Sequence, residues 1–132
     1  MENYVTFDLA IKLRKKGFDE KCFAHYESIY DGNPKLMENY YTPSDGRKKS
    51  YNAKNSLFVD APTIPQVIDW LRKKKNVYCL IHFNQNNSKW LYYITKPNLT
   101  SSLPLYVSNT IFDSYESANI NGIKYVVDRI LK

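Results

Sequence analysis

The stretch DAPTIPQVIDWLRKKKNVYCLIHF, residues 60–83, decides the fold class, because it holds a helix and a strand back to back. Thr63 and Gln66 form a Thr-x-x-Gln capping box, and Pro65 falls in the first turn, where its missing N–H costs nothing. Ile64, Val67, Ile68 and Leu71 then recur at i, i+3, i+4 and i+7 with Trp70 beside them, a stripe that must bury itself. Asp69 and Lys73 are spaced to pair on the wet side. From Val77 the period changes to two: Val77, Cys79, Ile81 and Phe83 point one way, and Tyr78, Leu80, His82 and Asn84 the other. A helix over 64–75 therefore feeds a half-buried strand over 77–84.

Downstream, Asn86 and Asn87 tolerate positive φ in a connection, and residues 90–95 return as the partner strand of a hairpin. Tyr106 and Val107 suit a short edge strand. Ser114 is an N-cap, with Glu116 in the dipole-favoured first turn, for a helix over 115–131 that buries Ile123, Val126, Val127 and Ile130. Gly122 inside that helix implies a close backbone approach. Upstream, Phe7, Ala10 and Ile11, flanked by Leu9 and Leu13, give a helix over 6–16 that Gly17 stops in a left-handed conformation. Residues 22–29 read as a strand, and residues 31–56, with two Gly, two Pro and several Asn, as a long irregular loop. The expectation is an α+β fold. It has a small antiparallel sheet, the central hairpin 77–84/90–95 plus the strand near 22–29, with three helices packed mainly on one face. The sheet face away from the helices would carry Tyr78, His82 and one row of the second hairpin strand, either Trp90 and Tyr92 or Leu91 and Tyr93.

Composition bounds the class. At 132 residues, 43% hydrophobic and 24% charged, the chain suits one domain spanning 1–132 with one core. Its apolar runs fall short of the ~18 to 20 residues a bilayer crossing needs, so no membrane partner is expected. No secretory signal is visible at the start, which makes cytoplasm the expected compartment. Cys22 and Cys79 are too few for a disulfide framework. Nineteen Lys and Arg against 13 Asp and Glu give +6, enough to attract anions at a distance.

Cys22 with His25 and Cys79 with His82 repeat a Cys-x-x-His spacing that sums to a zinc ligand set, but residues three apart on a strand point to opposite faces, so no metal is expected. A Cys–His nucleophilic pair has no positive support, and no phosphate loop, nucleophile elbow or zincin helix is present. Enzyme activity and a cofactor are therefore not expected. Of three basic clusters, residues 12–16 and 72–75 end helices and complement their dipoles. The third, Arg47, Lys48 and Lys49, has no such cause. Tyr40, Tyr41 and Tyr51 interleave with it, setting phosphate-binding charge beside planar rings.

Taken together, VTFDLAIKLRKKGFDEKCFAHY (5–26), the stretch quoted first (60–83) and FDSYESANINGIKYVVDRIL (112–131) resemble a family of small uncharacterised proteins spread through Bacteroidetes and their phages and prophages. The resemblance covers most of the chain outside 31–56 and 96–110. It implies context rather than catalytic residues: small phage accessory proteins act by binding a host protein, a nucleic acid or a nucleotide signal of antiviral defence. The expected function is a non-catalytic phage or mobile-element accessory protein that sequesters an anionic, nucleotide-like ligand. Its candidate site is Tyr41, Arg47, Lys48, Lys49, Tyr51, His82 and Trp90. The alternatives are a nucleic-acid-binding accessory protein and a protein–protein inhibitor or homo-oligomeric structural protein.

Overall fold

The structure is a computed structural model that describes residues 4–29, 33–38, 56–97 and 106–131. Among them are three helices and two three-stranded antiparallel sheets, a mixed α+β fold. The chain forms two compact units, Met1–Thr63 and Ile64–Lys132.

In the first unit α1 (Phe7–Lys15) opens on Thr6, whose hydroxyl accepts from the Leu9 N–H at 3.3 Å. Its end is a Schellman motif. Gly17 sits at φ +100°, the Gly17 N–H donates to the Arg14 carbonyl at 3.1 Å, and the Phe18 N–H reaches back to Leu13 at 2.9 Å. The buried stripe is Leu9, Ala10 and Leu13, whereas Phe7 and Ile11, expected on the central face, are half-buried. Each fully buried leucine contributes roughly 1.5–3 kcal/mol. Beside α1 lies a sheet of β1 (His25–Ile29), β2 (Lys35–Met37) and β3 (Ser56–Asp60) in the order β2-β1-β3. Tyr26 ties the unit together: its hydroxyl donates to the Val5 carbonyl at 2.6 Å, and its ring meets Phe7 edge-on at 5.6 Å.

The second unit begins with α2 (Ile64–Trp70), which buries Ile64, Val67 and Trp70 and widens into a π turn over Leu71–Lys75. Asn76 closes it at φ 57°, and its N–H and that of Val77 both donate to the Leu71 carbonyl. Asp69 pairs with Arg72 at 2.7 Å rather than with Lys73. The hairpin is β4 (Tyr78–Asn84) and β5 (Lys89–Thr95), with β6 (Tyr106–Val107) on the far side of β5. In its connection Asn84 and Asn87 accept backbone N–H bonds from Asn86 and Lys89, and positive φ falls on Ser88 instead of either expected Asn. Last comes α3 (Tyr115–Tyr125), capped by Ser114, which accepts from the Ser117 N–H at 3.0 Å; it ends in a second π turn over Val126–Ile130.

Two details differ from the sequence reading. The strand near 22–29 starts at His25 and joins β2 and β3 instead of extending the hairpin's sheet, because β3, a short run just before α2, pairs with its whole length. Within 31–56, Lys35–Met37 is ordered as β2 against β1; three residues are too few to show a period of two.

Register fixes the hairpin's faces. Cys79 opposes Ile94, Ile81 opposes Tyr92 and Phe83 opposes Trp90, a row that lies under α3; Leu80 with Tyr93 and His82 with Leu91 form the other face. Gly122 is the point of closest approach. A Cβ there would lie 2.4 Å from Cys79 Sγ and 3.1 Å from Tyr92 Cγ. Alanine in a helix gains about 1 kcal/mol over glycine, but overpacking costs about 1–3 kcal/mol, and a 2.4 Å contact leaves no room to relax into. With the overpacking cost at the upper end of that range, Gly122→Ala should lower stability by about 2 kcal/mol in urea unfolding, with Cys79→Ala recovering part of the loss in the double variant. A Gly122→Ala protein as stable as the wild type would contradict this packing.

Candidate functional site

Of the seven candidate residues, Tyr41, Arg47, Lys48, Lys49 and Tyr51 lie outside the described residues. His82 and Trp90 are described, and the hairpin separates them. His82 is exposed on the face away from α3, paired across to Leu91, while Trp90 pairs with Phe83 on the α3 side. Residues with opposite strand parity cannot share one ligand across a sheet. Of the two alternative rows, Leu91 and Tyr93 are the ones that join His82.

Trp90 is held from three directions. It exchanges two 2.8 Å backbone bonds with Phe112, its ring lies 4.7 Å from Phe83, and Tyr115 at the start of α3 meets it edge-on at 5.5 Å. Phe83 and Tyr115 remain 39% and 44% exposed, so the trio presents open ring surface at the rim of the hairpin. Lys89 and Asp113 form an ion pair beside it, and the hydrogen bond from Lys89 holds the Asp113 carboxyl below its ordinary value.

Beneath that rim lies a layer of phenols. Tyr106 and Tyr125 stack at 3.9 Å with an 11° interplanar angle, and Tyr92 contacts both, together with Phe112 at 5.9 Å. Burial, reinforced by Tyr106, Cys79 and Tyr125, pushes the Tyr92 hydroxyl up to about 12. Burial likewise pushes the Cys79 thiol up to about 12. Such a thiol stays protonated at neutral pH. It packs under Gly122 while His82 faces the other way, so this Cys-x-x-His pair divides across the sheet. Among the described residues no three His, Cys, Asp or Glu side chains gather closely enough to hold a metal.

In the first unit, sequence reasoning weighed His25 only beside Cys22 and missed its carboxylate neighbours. His25 is buried at the start of β1, its Nε2 lies 3.0 Å from Glu27 Oε2, and the register sets it opposite Asp60, also buried. The i, i+2 spacing on a strand was the available signal, since it places His25 and Glu27 on one face. The basic residues ending α2 have structural work: Arg72 binds Asp69, and Lys75 Nζ sits 5.4 Å from the Trp70 ring centroid.

No family model, curated protein or solved structure matches this chain. Candidate function therefore rests on the residues themselves. Among the described ones, the open aromatic rim is the arrangement best suited to recognition.

The buried protons have a pH signature. The native state keeps the Cys79 and Tyr92 protons to about 12, whereas the unfolded chain releases them near the ordinary values of 9.0 and 10.0. Their contribution to stability is thus complete below pH 9 and is lost between there and about 12. The urea midpoint should fall as pH rises through that window, and Tyr92→Phe, which keeps the ring and removes the proton, should flatten the upper part of the fall. An identical slope in that variant would contradict the assignment.

Proposed function

We propose that this protein acts by binding rather than catalysis, and that the Phe83, Trp90 and Tyr115 rim takes the ring of an anionic, nucleotide-like ligand, which the protein sequesters. The observation that carries the reading is the open ring surface of Phe83 and Tyr115 on either side of a fixed Trp90. Base–aromatic stacking contributes roughly 1–3 kcal/mol per ring and accepts any base. The chain's +6 charge favours an anionic ligand. Arg47, Lys48 and Lys49, with Tyr41 and Tyr51, are a separate proposed anion-binding segment, and His82 takes no part in the rim. The resemblance to small proteins of Bacteroidetes phages and prophages supports an accessory role at a mobile element, with a nucleotide signal of host defence as the ligand class.

A second reading has its own observation. Leu80 and Val107, 39% and 44% exposed, share the sheet face away from α3 with Leu91 and Tyr93, and an exposed apolar group of this kind suits a protein partner.

A thermal-shift panel of cyclic and linear nucleotides, read together with Trp fluorescence, distinguishes the two. A bound nucleotide should raise the Tm, and at a ligand concentration 100 times its Kd the gain is about 2.7 kcal/mol. Phe83→Ala with Tyr115→Ala should weaken binding by roughly tenfold or more. An oligonucleotide arm whose affinity falls steeply with salt would assign the surface to single-stranded nucleic acid instead. No stabilisation by any nucleotide or oligonucleotide would overturn the proposal.

A further inference from the structure

Among the described strands β4 forms one edge of the sheet order β4-β5-β6, and its sequence Tyr78-Cys-Leu-Ile-His-Phe-Asn84 carries no charge or proline to protect that edge. It is seven residues long, with no Lys, Arg, Asp, Glu or Pro and no bulge in its register with β5. Exposed edges of this kind are normally blunted by charge, proline, a bulge or a cover, since their free N–H and C=O groups template another strand.

Which groups are free follows from β5. The Trp90 N–H and C=O bond Phe112, and the Tyr92 C=O and N–H bond Ser108 through its backbone and its hydroxyl, so both residues turn their backbone groups away from β4. Antiparallel pairs alternate between bonded and non-bonded. The partners of those residues across the hairpin, Phe83 and Ile81, therefore turn their own N–H and C=O groups outward, and Cys79 does so by the same period. Three outward residues result, evenly spaced about Ile81 at the centre of the strand.

We infer that β4 pairs with β4 of a second copy, antiparallel about a twofold axis at Ile81, joining two sheets into one of six strands. In that register Ile81 faces its own copy, Cys79 faces Phe83, Leu80 faces His82 and Tyr78 faces Asn84. All outward groups are used, in about six backbone hydrogen bonds, and each side-chain row meets a row of its own parity. A second copy fits better than a foreign strand because the free groups are symmetric about one residue. The strand itself also carries no formal charge, so no like charges face each other across the axis.

The test uses charge placed on the exposed face, where Leu80 and His82 bond β5 only through their backbones. Sedimentation velocity should show the wild-type chain passing from monomer to dimer over roughly a hundredfold range of concentration. Leu80→Lys with His82→Lys sets two cations opposite each other on both sides of the axis and should weaken the dimer by roughly tenfold or more. Leu80→Glu with His82→Lys places opposite charges there instead and should restore it, which a merely unfolded variant would not do. Circular dichroism checks that both variants fold. A wild-type chain monomeric throughout, or two double variants that dimerise equally, would overturn the inference.

Discussion

The C-terminal unit depends on the absence of one side chain. Gly122 lets α3 descend until the position of its missing Cβ is within 2.4 Å of Cys79 Sγ and 3.1 Å of the Tyr92 ring. At that distance helix backbone and hairpin side chains are in direct contact, and dispersion, individually small, is gathered over the whole row. The close approach brings Tyr125 onto Tyr92 and Tyr106, and Tyr115 onto Trp90. Burial of Cys79, Ile94, Ile123 and Val126 follows from the same descent.

That geometry also determines which surfaces stay open. Helix α3 meets the hairpin at Cys79 and Tyr92 through Gly122 and at Trp90 through Tyr115. Phe83, on the edge strand, is left with ring surface in water, and so is Tyr115 itself. On the other face Leu80 and Val107 stay exposed. The surfaces available for recognition are thus by-products of where the helix lies.

Much of this fold was legible from local rules. The alternation of Cys79, Ile81 and Phe83, the Ser114 cap, the Gly17 stop and the meaning of Gly122 each rest on period or backbone stereochemistry, and the structure shows all four, with Val77 just before the strand. What was not legible is non-local. Lys35–Met37 becomes a strand only because β1 lies beside it, and the two-sheet arrangement follows from the β1–β3 pairing, which no local window contains. The candidate site was less legible still. Residue types suggested ring stacking, but strand parity between the two hairpin strands depends on a register set by the four-residue connection. That register placed Trp90 with Phe83 and sent His82 to the opposite face. The buried His25, opposite Asp60, was hidden because burial of a strand's first residue depends on its neighbours in space.

Binding of a nucleotide is proposed on the α3 side of the hairpin rim. It is tested most directly by following the Trp90 indole N–H and the His82 ring by NMR as a nucleotide is titrated, with the buried Trp70 indole as an internal control. Saturable movement of Trp90, with His82 and Trp70 still, is the predicted result. Movement of His82 with Trp90 still would place binding on the wrong face and contradict the account.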